Sequence, residues 1–166
     1  MITPRSDMRK LLQLQDDNNK AILFDLELSD VQFNGGGETF SAHLNILRSL
    51  SPAFYSLCDG MPDPLSISFP TEFVSDPKIF EEVLHFVYTD QLNKSYDNCK
   101  SKSKDKDRGK EACEASLVAL LKASNYLGVI TLKLTVEAKL CALIGPSNCA
   151  ILIDVAERLT APMLLD

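Results

Sequence analysis

The sequence predicts an α+β domain, with a small three-stranded sheet flanked by a cluster of helices and followed by a C-terminal helical extension. Three observations support this prediction. Short segments of alternating apolar and polar residues occur up to residue 69, and helical spacing of apolar residues dominates beyond that point. The 166 residues are 45% hydrophobic, which suffices for one buried core. Short strands followed by long helices are typical of helices packed around a small sheet.

Alternation of apolar and polar residues predicts the strands. The first alternating run slips in phase at Ser29 and Asp30, which indicates a strand with a bulge. Residues 34–37, Asn-Gly-Gly-Gly, predict a tight turn, because these residue types tolerate positive φ. The predicted strands cover residues 24–33, 39–42 and 65–69.

Apolar residues at helical spacing, together with capping residues, predict the helices. Ser51-Pro52 and Asp76-Pro77 each combine a capping oxygen with proline at the first helical position. Ser147 is expected to cap the first helix of the extension, with an apolar stripe of Ile151, Val155 and Leu159. The predicted helices cover residues 7–15 and 44–50, begin at Ser51 and Asp76, cover 116–127 and 132–143, and begin again at Ser147 and near residues 160–162.

The predicted organisation is a single domain with flanking segments. Residues 1–19 form an N-terminal segment with a short helix, 20–144 the domain, and 145–166 the start of the extension. Residues 93–111 contain no aliphatic residue, and from 94 to 111 seven basic residues accompany four acidic ones. Such a segment buries too little apolar surface to offset its ordering entropy, so a disordered polar insert is expected.

Composition narrows the function classes. The net charge of −6 disfavours a nucleic-acid partner, and no apolar run is long enough to predict a membrane span. The five cysteines are odd in number and contain no Cys-x-x-Cys, which favours a reducing compartment, cytoplasmic or nuclear.

No catalytic, cofactor or metal site is expected, so the chain is not predicted to be an enzyme. No cysteine or serine nucleophile is linked by a motif to His43, and the only other histidine, His85, lies on an apolar helix. A hydrogen-bonded structural histidine is therefore favoured at position 43. The glycines at 35–37 lack the lysine of a phosphate-binding loop, which leaves a hairpin turn as the interpretation.

The residues then point to a known family. Residues 40–54 match the pattern F-x-A-H-x-x-x-L-x-x-x-S-x-x-F of BTB/POZ domains without a gap. Residues 80–89 are similar to the family's F-x-x-x-L-x-F-x-Y-T helix, and residues 120–127 to its L-L-x-A-x-x-Y-L helix. Residues 147–157 resemble the helical extension that often follows the domain. The strand-opening aspartate of the family is either Asp30 or Asp25, and a long strand spanning both is favoured.

The resemblance implies a module for protein interaction and dimerisation. In the family, the N-terminal segment and the helix after the histidine build a twofold dimer. The corresponding residues here are Met8, Leu11, Leu12, Leu44 and Leu47.

Many members of the family are adaptors that bind a cullin scaffold of a ubiquitin ligase through a hydrophobic-x-Glu motif. The nearest match is Met61-Pro62-Asp63, with aspartate in place of glutamate, and with Phe54 it forms the expected partner-binding site. Two alternatives remain open. One is a purely structural oligomerisation or scaffold module, and the other is recruitment of a transcriptional co-repressor. In co-repressor-binding members a basic residue follows the histidine, where this chain has Leu44.

Overall fold

The computed structural model describes residues 29–35, 37–51, 53–54, 56, 65–68, 76–97 and 106–165. These residues form a small sheet and a larger set of helices, which confirms the predicted α+β class. The elements are β1 (Val31–Gly35), β2 (Glu38–Ala42), α1 (Leu44–Leu50), β3 (Leu65–Ser68), α2 (Pro77–Thr89), a 3₁₀ helix (Lys94–Asp97), α3 (Lys106–Tyr126), α4 (Ile130–Cys141), α5 (Cys149–Leu159) and a C-terminal 3₁₀ helix (Pro162–Leu164).

The sheet has the order β2-β1-β3. Strands β1 and β2 form an antiparallel hairpin that pairs Val31 with Ala42 at one end, and β3 lies parallel to β1. Gly37 has a φ of +87° in the hairpin turn, a conformation that glycine adopts without steric cost. The long strand with a bulge expected over residues 24–33 is observed only from Val31, because Ser29 and Asp30 precede β1 and are not part of it. Residues 24–28 lie outside the described residues.

Aromatic rings join the sheet to the helices at the centre of the core. The Phe33 ring from β1 meets Phe54 at a centroid distance of 5.8 Å and Phe80 of α2 at 5.3 Å. The Phe40 ring from β2 meets Phe80 edge-on at 5.2 Å. Phe80 therefore packs against a ring from each of the two hairpin strands.

Helices α1 and α2 follow the sequence closely. Helix α1 covers the predicted residues, and α2 begins where the Asp76-Pro77 signal places it. The Asp76 side chain accepts a hydrogen bond from the Lys78 N–H at 3.0 Å, which caps the helix. Local capping chemistry therefore predicted this boundary correctly.

The insert expected to be disordered over residues 93–111 is partly helical. The Asn93 N–H donates to Glu82 Oε1 at 2.6 Å, and half-buried Tyr96 packs against the core. Burial raises the pKa of the Tyr96 phenol, and the carboxylates of Glu82 and Asp76 raise it further. Helix α3 begins at Lys106, ten residues before the predicted start at 116. Once its apolar half is formed, lysine, arginine and glutamate extend a helix without a new nucleation cost.

The helical extension is capped differently from the prediction. Helix α5 begins after Asn148, and Ser147 is exposed. The Asn148 Oδ1 accepts from the Gly145 N–H at 2.7 Å, and its Nδ2 donates to Glu114 Oε2 at 2.6 Å and to the Leu143 carbonyl at 3.1 Å. Asn148 thus ties the start of the extension to α3 and to the end of α4.

The buried face of α5 is also different from the expected stripe. Leu152 and Ala156 are buried, whereas Ile151 is 62% exposed, and Val155 and Leu159 are only partly buried. Periodicity alone cannot choose between two apolar faces of one helix, and packing of α5 against α3 made the choice here.

Candidate functional site

The histidine of the first motif and the tyrosine of the α2 motif are hydrogen-bonded to each other. The His43 N–H donates to the Tyr88 hydroxyl oxygen at 2.9 Å, and the same hydroxyl lies 2.8 Å from His43 Nδ1. The Tyr88 hydroxyl therefore contacts both the backbone and the imidazole of His43. The half-buried imidazole is thus engaged in holding α2 against the start of α1, a structural role.

The protonation of Tyr88 supports this arrangement. Burial raises the pKa of the phenol, the hydrogen bond from the His43 N–H lowers it, and the Asp30 carboxylate raises it again. With the balance upward, the phenol keeps its proton near neutral pH and remains a neutral hydrogen-bonding partner of His43.

Asp30 caps helix α1 from a distance. His43 occupies the N-cap position of α1 but makes no side-chain capping bond there. The Leu44 N–H instead donates to Asp30 Oδ1 at 2.6 Å, and the Asp30 N–H donates to the Ala42 carbonyl at 3.2 Å. Asp30 therefore lies directly before β1 and caps helix α1, while Asp25, the alternative strand-opening aspartate, lies outside the described residues.

Ser51 joins the first motif to the motif of α3. Its Oγ accepts from the Ala53 N–H at 3.1 Å, as the predicted cap requires, and donates to the Leu127 carbonyl. Ser51 is fully buried beside Gly128, whose φ is +67°. The motif serine thus serves both as a helix cap and as a tie between two distant segments.

The structure places the predicted surface residues unequally. Leu47 and Phe54 are completely buried, so they are core residues and do not form part of the surface of the single chain. Leu44 is half-buried and packs against the core. Met8, Leu11, Leu12, Met61 and Asp63 lie outside the described residues.

Sequence reasoning missed the exposed apolar residues, all of which lie after Val129 in the part of the chain that the structure describes. Their periodicity did not distinguish them from core residues. They belong to α4, α5 and the adjoining connections: Ile130, Leu134, Ile144, Ile151, Ile153, Met163 and Leu165.

The described residues were also compared with the requirements of a metal site and of a membrane-spanning helix. Within the described ranges, no group of three or more His, Cys, Asp or Glu side chains could hold a metal ion. None of the helices described there is sufficiently long and apolar to cross a bilayer.

The described cysteines differ in their redox state. Cys113 is disulfide-bonded, whereas Cys141 and Cys149 are free thiols. The bond at Cys113 differs from the reduced cysteines that the sequence predicted.

The fold and these hydrogen bonds define an α+β interaction domain in which the motif side chains hold the strands and helices together. A family model described as BTB/POZ domain matches residues 22–143. The chain therefore belongs to the BTB/POZ domain family, whose members are modules for protein–protein interaction.

Curated relatives agree with this assignment. BTB/POZ and MATH domain-containing protein 6 of Arabidopsis thaliana is 30% identical over 145 residues, which cover 86% of this chain and 34% of the relative. BTB/POZ and MATH domain-containing protein 4 of the same plant is 31% identical over 137 residues, which cover 82% of this chain and 29% of the relative. The chain thus spans about a third of the length of these relatives.

Proposed function

We propose that this chain is a dimeric adaptor module that recruits a cullin-type ubiquitin ligase. Membership of the BTB/POZ family supports a role in assembly. The names of the relatives pair this domain with a MATH domain, which is consistent with an adaptor that carries a second functional unit. The observation that carries the proposal is the helical extension, which is docked on α3 and on the turn after α4 and leaves Ile151 62% exposed.

The proposed cullin surface combines two parts of the chain. Met61 and Asp63 are assigned to this surface from the sequence motif, and Ile151 of α5 is assigned to it from its exposure in the structure. Phe54 is buried and packs on Phe33, so it is not part of this surface. Aspartate reaches less far than the glutamate of the family motif, so binding is expected to be weaker than for a full motif.

Ile151→Asp is expected to weaken binding of a cullin N-terminal domain at least about tenfold, because a charge replaces a desolvated apolar anchor. Titration calorimetry with the full chain measures the effect. Ala150→Asp is the matched control, since it adds the same charge at the neighbouring exposed position and should change the affinity less than about twofold. Met61→Ala should weaken binding, and Asp63→Glu should tighten it.

Two outcomes would contradict the cullin proposal. Equal affinities for wild type and for the Ile151, Met61 and Asp63 variants would move the site elsewhere. No binding of any variant would favour a purely structural oligomerisation module.

Dimerisation is proposed to use Met8, Leu11 and Leu12 together with the half-buried Leu44. A stable interface buries roughly 1,600 Å² in total. We expect light scattering to give a dimer at micromolar concentration and Leu11→Asp to shift it toward the monomer. Gln13→Asp, which adds a charge away from the apolar stripe, is the control. A wild-type monomer that Leu11→Asp leaves unchanged would refute this interface.

A further inference from the structure

Helix α4 carries three polar side chains at a spacing of four residues. Lys133, Glu137 and Cys141 therefore follow one another along a single face. All three bind the backbone of the segment that ends α5 and enters the C-terminal 3₁₀ helix. One helix face thus recognises the main chain of a segment about 25 residues further along the sequence.

Lys133 binds the end of α5. Its Nζ donates to the carbonyls of Leu159 and Thr160 at 2.7 and 2.9 Å, and to Asn125 Oδ1 at 2.8 Å. A protonated lysine has three N–H donors, so each has an acceptor. The positive charge lies at the helix C-terminus, where the last carbonyls lack partners and the helix dipole favours a cation. None of these three acceptors is a carboxylate, so the contact depends on the lysine alone for its charge.

Glu137 and Cys141 bind a single residue further on. The Met163 N–H donates to Glu137 Oε2 at 3.1 Å, and the Cys141 thiol donates to the Met163 carbonyl at 3.0 Å. Glu137 is fully buried. Burial raises the pKa of the Cys141 thiol, and the Glu137 carboxylate adds to the rise, so the thiol retains the proton that it donates.

The segment held in this way is short and only partly buried. Ala161 and Leu164 are buried, whereas Met163 and Leu165 are 43% and 51% exposed. Helix α5 has its own anchors, Leu152 and Ala156, together with the Asn148 bonds. We therefore expect residues 160–165 to open while α5 stays docked, against the hydrogen bonds of the α4 face and the burial of Ala161 and Leu164.

We propose that Lys133, Glu137 and Cys141 form a latch that holds residues 159–163, with the lysine charge keeping it closed. The latch fixes where Met163 and Leu165 are presented on the surface. It goes beyond the adaptor function proposed above, because its closure requires no partner and its test uses none.

The test is hydrogen–deuterium exchange of the full chain, followed by mass spectrometry of peptides from residues 158–165 and from α2. Lys133→Met should accelerate exchange in residues 160–165 by about tenfold or more, since hydrogen bonds to a charged group are among the stronger ones. Exchange in α2 should not change. Lys122→Met removes an exposed lysine from α3 and is the control, with rates expected to stay within about twofold.

Variants of Glu137 provide an independent test of the same proposal. Glu137→Ala removes the acceptor of the Met163 N–H and should accelerate exchange locally, whereas Glu137→Gln keeps an acceptor oxygen and should restore most of the protection. Unchanged exchange at 160–165 in both Lys133→Met and Glu137→Ala would overturn the proposal. Equal acceleration in α2, or failure of Lys133→Met to fold, would also overturn it, because the segment would then belong to the cooperative core.

Discussion

Replacement of Phe80 by alanine is expected to lower the free energy of unfolding by about 3–5 kcal/mol, the range for deleting a buried phenylalanine. Phe80 is fully buried, and its ring meets those of Phe33 and Phe40 at 5.3 and 5.2 Å. Truncation removes both ring contacts and leaves a cavity between α2 and the β1–β2 hairpin. Urea denaturation followed by circular dichroism measures the change.

Phe40→Ala is the matched control. Phe40 contacts the same Phe80 ring but is only partly buried, so its truncation leaves a smaller cavity and more access for water. We expect its cost to be no more than about half that of Phe80→Ala. Equal costs for the two variants would show that Phe80 does not carry the junction between the sheet and α2.

Gly128→Ala is expected to destabilise the fold by about 2–4 kcal/mol. The φ of +67° strains any residue with a Cβ, at a cost of order 1 kcal/mol or more. A Cβ would also lie 2.9 Å from Ser51 Oγ and 3.3 Å from Ala53 Cβ. The buried Ser51 side chain would therefore have to shift. Thermal and urea unfolding both report the loss.

Gly37→Ala separates these two causes. Gly37 has a φ of +87°, but nothing lies within 4 Å of the position that a Cβ would occupy, so only the conformational strain applies. Its cost should be about 1 kcal/mol. The double variant Ser51→Ala with Gly128→Ala should cost less than the sum of the single variants, because it removes the colliding oxygen. Equal costs at both glycines, or strict additivity, would contradict the steric explanation.

Several features of this protein were predictable because their causes are local. The period of the apolar residues and the two proline-preceded caps predicted the start of α2, the extent of α1 and the capping role of Ser51. The motifs also predicted the family correctly, and three of their residues form contacts that hold the fold together. His43, Ser51 and Tyr88 all form such contacts.

Other features required contacts between distant residues. Nothing near Asp30 in sequence shows that it caps a helix 14 residues away. The polar composition of residues 93–111 predicted disorder, yet Glu82 and the core hold its first residues and α3 continues into its last ones. Composition describes what a segment can bury alone, and here the rest of the fold supplied the partners.

By itself the sequence determined the fold class, the bounds of α1, the start of α2 and the family, because periodicity, capping and motif residues act over a few positions. Only the tertiary structure decided which apolar residues are exposed. Leu47 and Phe54, expected at interfaces, are buried, whereas Ile151, one of the predicted apolar positions of α5, is exposed. The reason is geometric: spacing places residues on one face of a helix, but the neighbouring element decides which face it covers.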